Sequence, residues 1–181
     1  MTHASRRVLL SGLALSLIAG VATVLLAPWQ QPRQLPDIDV TVIHGRATSL
    51  SELRGRPLFV TFWSTTCGIC MRERPLLAKL YRELGPSGLE IIAVAVSYDV
   101  PARVAAVIER EAIPFPVALD LDARAERAFG GIVATPTSFL FGPDGALVYR
   151  ANGASDIEML RQKVLQLLAE HPGATPGRAR T

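Results

Sequence analysis

The sequence predicts a three-layer α/β/α domain on a mixed central sheet, and three observations predict it. Two continuous apolar runs rich in β-formers, 57–63 (PLFVTFW) and 89–97 (LEIIAVAVS), read as strands buried on both faces. Segments with helical spacing of apolar residues alternate with them. A closing hairpin, 138–150 (SFLFGPDGALVYR), turns about Gly142-Pro143-Asp144-Gly145 and is followed by one more helix.

In chain order, 38–43 (IDVTVI) alternates as a strand. The stretch 44–53 (HGRATSLSEL) reads as a turn, a short strand and one helical turn, which makes an N-terminal β-hairpin. RGRP (54–57) breaks the pattern, and the buried strand 57–63 follows. A helix is predicted from about 67 to 84, closed by GPSG. Pro75 lies inside it, removes one hydrogen bond, and predicts a kink near Met71. After the strand 89–97 come a helix at 100–112 (VPARVAAVIEREA) and a strand at 115–120 (FPVALD). A short helix at 122–130 ends at Gly130. The last helix, to about 170, starts at a capping box of Ser155 with Glu158 three residues on. The expected organisation is an N-terminal segment at 1–29, a polar, proline-bearing linker at 30–36, a domain at 37–171 and a frayed tail at 172–181.

The chain has 181 residues, and the domain is large enough to bury a real core. Arg6, Arg7, Arg178 and Arg180 carry four of the 19 basic charges, so the body holds 15 against 16 acidic ones. That balance gives no basic face and excludes a nucleic-acid binder. Arg6 and Arg7 precede an uncharged run from Val8 to Ala27. At 1.5 Å per residue it reaches about 30 Å, the thickness of a bilayer's hydrocarbon core. The basic flank is expected to stay cytoplasmic and the domain to lie outside. Trp29 falls at an interfacial position after Pro28. An uncleaved single-pass anchor is the expectation; a cleaved secretory signal is the competing reading, and both export the domain.

Both cysteines lie in 62–75 (FWSTTCGICMRERP), with two residues between Cys67 and Cys70. A zinc site needs about four ligands, and His3, His44 and His171 are not at ligand spacing. Haem attachment wants His directly after the second Cys, where Met71 stands. A structural disulfide is permitted outside the cytoplasm, but so small a loop would constrain little of the unfolded chain. A redox pair fits the junction better. The strand delivers Cys67 to a helix N-terminus, whose free N–H groups and dipole favour a thiolate. Cys67 is then the attacking thiol, and Cys70, one turn in, the resolving one. Gly68 is read as keeping the backbone open beside the sulfur. Arg72, Arg74 and Arg82 read as a solvated helix face, Asp120, Asp122 and Asp144 as structural acids at strand ends and turns, and His44 as a surface loop residue.

With Phe62-Trp63 before the pair, Cys-x-x-Cys, Pro75 five residues after Cys70, and 131–141 (GIVATPTSFLF), the chain resembles the thioredoxin superfamily. The anchor, the N-terminal hairpin, Glu73-Arg74-Pro75, the helix–strand insert at 100–120 and the FGPDG turn make it similar to the membrane-anchored TlpA/ResA/DsbE group. The resemblance spans about 34–171. It implies a thioredoxin-like fold and a cis peptide between Thr135 and Pro136, whose loop would pair with an extended client segment. Trp63, Thr66, Thr135 and Pro136 would flank the substrate. Glu73 would lie by the pair and manage protons; as a helix first-turn residue it could also simply be stabilised by the dipole. Thioredoxin's buried aspartate is replaced here by Thr61.

The resemblance also implies a periplasmic, inner-membrane-anchored bacterial thiol–disulfide oxidoreductase. It would reduce client disulfides, such as apocytochrome c or copper-site cysteines, and be re-reduced by a membrane thiol donor. It implies no metal or organic cofactor. Thr66, where the group often has an aromatic, and Gly68-Ile69 between the cysteines are departures that bear on client and redox poise. Two alternatives stay open: a thiol oxidase donating disulfides, and a copper chaperone using the two thiolates. A peroxidase would need a Pro-x-x-x-Thr-x-x-Cys pattern, which is absent.

Overall fold

A computed structural model describes residues 32–43 and 47–171. The expected anchor, the tail at 172–181 and His44 lie outside the described residues. Among the described residues no helix is long and apolar enough to cross a membrane.

Strand β3 (Leu58–Trp63) sets the architecture. All six of its residues are buried, as a strand covered on both faces requires. It pairs in parallel with β4 (Glu90–Ala95) and antiparallel with β6 (Thr137–Phe141). Beyond β4 lies β5 (Val117–Leu119), also parallel. The N-terminal hairpin, β1 (Asp39–Val42) with β2 (Ala47–Ser49), adds antiparallel to β5. β7 (Leu147–Asn152) closes the other edge against β6. The sheet order is therefore β2-β1-β5-β4-β3-β6-β7.

Alternation along β3 divides the core into two. Phe59 and Trp63 face a cluster with Leu77, Leu80, Val104, Leu160 and Val164. These come from α1 (Gly68–Leu84), α2 (Pro101–Glu111) and α4 (Ile157–Glu170). Leu58, Val60 and Phe62 face a second cluster, where Phe129 sits edge-on to Phe62 and Phe139, each at 5.0 Å between centroids. Phe129 follows the short helix α3 (Arg124–Ala128). The helices and the sheet make the three layers of a thioredoxin-like fold.

Two differences from the sequence-based expectations have physical reasons. Residues 33–35, expected within the linker, belong to the fold. Leu147 N–H donates to the Arg33 carbonyl at 3.0 Å, Leu35 N–H to that of Gly145 at 2.8 Å, and Leu35 is 4% exposed. One apolar residue between Gln and Pro is too weak a periodic signal to reveal an added edge pairing. Gly145 allows this turn by taking φ +82°, a left-handed conformation costly for other residues. Secondly, α4 is capped by Asp156, whose side chain accepts from Met159 N–H at 2.9 Å, not by Ser155. The Ser155 backbone is engaged elsewhere, as described below.

Candidate active site

β3 ends at Trp63, and the turn Ser64-Thr65-Thr66 carries the chain to α1. Cys67 N–H donates to the Ser64 carbonyl at 3.1 Å, and Ser64 Oγ accepts from Thr66 N–H at 3.2 Å. Asp99, in the β4–α2 loop, grips the same turn from across the sheet end. Its carboxylate accepts from Thr65 N–H at 2.6 Å and Thr65 Oγ1 at 2.7 Å. Cys67 is thus fixed as the N-cap of α1, with extended backbone angles, and its Sγ accepts from Cys70 N–H at 3.2 Å.

The two sulfurs are bonded, with Cα atoms 5.3 Å apart. Cys67 is half-buried; Cys70 is 1% exposed. The accessible sulfur is therefore the one at the helix end, where a thiolate receives an N–H donor and the positive dipole. The Thr135–Pro136 peptide is cis. It brings the Thr135 carbonyl oxygen to 3.4 Å from Cys67 Sγ. Thr137 Oγ1 donates to the Ala134 carbonyl at 2.7 Å and Gly153 N–H to that of Pro136 at 2.8 Å, which fixes the loop.

Glu73 is 5% exposed and accepts from Ser155 N–H at 2.6 Å. The bond joins α1 to the start of α4. Ile69, Arg72, Glu73, Leu76, Ala154 and Ser155 line a cleft of about 280 Å³ beside it. Thr61 and Ser138, opposite one another on β3 and β6, satisfy each other at 2.9 Å between hydroxyl oxygens.

The structure brings Cys67, Cys70, Thr135 and Pro136 together at one end of the sheet, with Thr66 exposed in the turn before them. Trp63 is a correction. It is 2% exposed and packs in the core with Cys70, so it offers no surface to a client and acts from beneath. Gly68 needs no special room either. A Cβ there would meet only Arg72 Nη1, at an ordinary 3.6 Å.

Arg74 is the larger correction. It is 4% exposed, not solvated. Its Nε and Nη2 donate to Glu111 Oε2 and Oε1 at 2.9 and 2.8 Å, and its guanidinium carbon lies 4.6 Å from the centre of the Trp63 ring. Burial pulls the guanidinium pKa down from its ordinary value, and Glu111 pulls it back up. The acids read as structural behave so: Asp120 accepts from Ala125 and Glu126 N–H at 2.9 and 2.7 Å, and Asp144 from Ala146 N–H at 2.9 Å. Sequence reasoning missed Asp99 and Glu111. Asp99 precedes Val100-Pro101 and looks like a helix start, with nothing local to tie it to Thr65.

A half-exposed and a buried cysteine at a helix start, against a cis-prolyl loop on a mixed sheet, define a dithiol–disulfide exchange protein of thioredoxin fold. Comparison with known proteins makes this specific. Residues 32–150 match the AhpC/TSA family. Thiol-disulfide oxidoreductase ResA of Bacillus subtilis is 32% identical over 142 residues, 78% of this chain and 76% of that protein. ResA of Bacillus thuringiensis subsp. konkukian is 29% identical over 130 residues, 72% of this chain and 74% of that one. Among solved structures, a putative thiol:disulfide interchange protein DsbE from Chlorobium tepidum aligns with a TM-score of 0.69 at 24% identity, covering 77% of this chain and 98% of that one. StoA from Bacillus subtilis aligns at 0.63 and 22% identity, over 72% and 98%; both show the shared fold. The chain belongs to the AhpC/TSA family, as a ResA/DsbE-like thiol-disulfide oxidoreductase.

Proposed function

We propose that this protein is exported, held at the inner membrane by residues 8–27, and reduces disulfides of specific client proteins in the periplasm. The exposure asymmetry of the pair carries the reading: Cys67 is reachable and Cys70 is 1% exposed. The Cys67 thiolate attacks one client sulfur, forming a mixed disulfide and expelling a client thiolate, which takes up a proton. Cys70 loses its proton and attacks Cys67 Sγ. The second client thiolate leaves, and the Cys67–Cys70 disulfide forms. A membrane thiol donor then supplies two electrons and restores the dithiol.

Thr135 and Pro136 hold the client segment beside the sulfur, and Thr66 borders it. Glu73 exchanges protons with the thiols from the cleft wall. Clients by resemblance are apocytochrome c before haem attachment, or cysteines of a copper site.

The test is Cys70→Ala in cells. Clients should accumulate as mixed disulfides with Cys67. An untrapped variant whose Cys67 is unreactive near neutral pH would remove the reading. The reduction potential decides direction: a value near about −270 mV supports a reductant, and one near about −120 mV a disulfide donor.

A further inference from the structure

The Arg74–Glu111 pair has no part in the exchange steps above, yet Arg74 shares α1 with Cys70 and packs on Trp63 beneath it. Arg74 follows Cys70 by four residues on α1, so the two are neighbours on one helix face. Its guanidinium stacks on Trp63, which shares a core cluster with Cys70. A cation buried this way is screened far less than one on the surface. Its counterion comes from another element: Glu111 ends α2, keeps 29% of its side chain exposed, and is shared with Arg110 at 3.0 Å.

We propose that Arg74 is a positioning residue that sets how readily the Cys67–Cys70 pair is reduced, with Glu111 as the counterweight limiting the positive charge the sulfurs feel. The inference rests on the pair being the redox centre. Reduction adds two electrons and at least one proton to the disulfide, leaving a Cys67 thiolate and a Cys70 thiol. A nearby positive charge stabilises that anion and so favours the reduced form.

Removing the Glu111 charge leaves the Arg74 cation uncompensated, and removing Arg74 leaves the Glu111 carboxylate in its place. The two changes must therefore act in opposite directions. Other charged groups lie on the elements around the pair: Arg72 and Glu73 on α1, and Asp99, which holds the turn before Cys67. They are unchanged in either variant. A unit charge on the order of 10 Å from a thiolate, at an effective dielectric of about 20, corresponds to a change of roughly 15-fold in an equilibrium constant, and partial exposure of the Glu111 side chain reduces that.

The test uses Glu111→Gln, Arg74→Met and Arg74→Lys in the full chain. Two quantities are read: the equilibrium constant of the pair with reduced and oxidised glutathione, and the pH dependence of Cys67 alkylation. Glu111→Gln should favour the dithiol by about three- to tenfold and move the alkylation midpoint to lower pH. Tenfold corresponds to about 30 mV for this two-electron couple. Arg74→Met should do the reverse, and Arg74→Lys, which keeps the charge, should stay near the parent.

Shifts of the same sign in Glu111→Gln and Arg74→Met, or none beyond twofold while the pair still exchanges, would overturn the proposal. If Arg74→Met does not fold, Glu111→Gln decides: a shift to lower pH supports the inference, and its absence removes it. A parent with no reversible glutathione equilibrium would instead sink the redox reading of the pair itself.

Discussion

Replacing Glu73 with alanine deletes the acceptor that receives Ser155 N–H at 2.6 Å. Both residues are buried, at 5% and 8% exposure, so the Ser155 N–H loses its only protein partner. A buried donor left without a partner costs about 1–3 kcal/mol, and a hydrogen bond to a charged group contributes about 1.5–3 kcal/mol. The expected loss is about 2–3 kcal/mol in urea unfolding of the oxidised protein. For a domain of this size that lowers Tm by roughly 5–10 °C. Glu73→Gln keeps an oxygen at the same reach and gives up only the charge assistance, about 1 kcal/mol. The glutamine variant therefore separates support from proton transfer. It should fold near the parent's stability yet exchange with a disulfide-bonded peptide about tenfold more slowly, or worse, near neutral pH. An alanine variant costing under about 0.5 kcal/mol would refute the support argument. A glutamine variant exchanging at the parental rate across pH would refute the proton role.

The cap of α4 gives a paired prediction. Asp156→Ala should cost about 1 kcal/mol by denaturant unfolding, whereas Ser155→Ala should stay within about 0.5 kcal/mol of the parent, because the buried Ser155 hydroxyl has no partner. A third prediction concerns pH. The hydrogen bond from Arg161 holds the Glu83 carboxyl below its ordinary range, linking α4 to α1 at the surface. Its folded pKa is depressed, so its contribution is present above the ordinary carboxylate range and lost as pH falls through the depressed value. The stability gap between parent and Glu83→Gln should therefore close in acid, and also in high salt, as expected of an exposed pair.

What was legible in the sequence was local. β3 and β4 declared themselves through unbroken apolar runs, because both faces are covered. The pair declared itself through spacing at a strand-to-helix junction, and the cis Thr135–Pro136 peptide through resemblance. Arg74 was within reach of pattern reasoning: Cys70, Arg74 and Leu77 follow the spacing of one buried helix face. Its charge argued for solvent, and only a partner 37 residues away on α2 reverses that. Asp99 and Thr65, 34 residues apart, meet for the same reason: parallel strands bring their loops together at one sheet end. Ser155 and Asp156 both offer a capping side chain, and the local pattern does not choose between them: Asp156 caps, while the Ser155 N–H is held by Glu73 from another helix.

The Thr61–Ser138 hydroxyl pair leaves this place in the sheet without an ionisable group. Where thioredoxin keeps a carboxyl group in the sheet beneath the active helix, this chain has two neutral groups that answer only to each other. Nothing at that position gains or loses charge as the surroundings acidify. Under the proposed function the proton carrier is Glu73, on the cleft side, and not the floor of the sheet. Substitution of Thr61 by Val should accordingly leave the shape of the pH–rate profile unchanged.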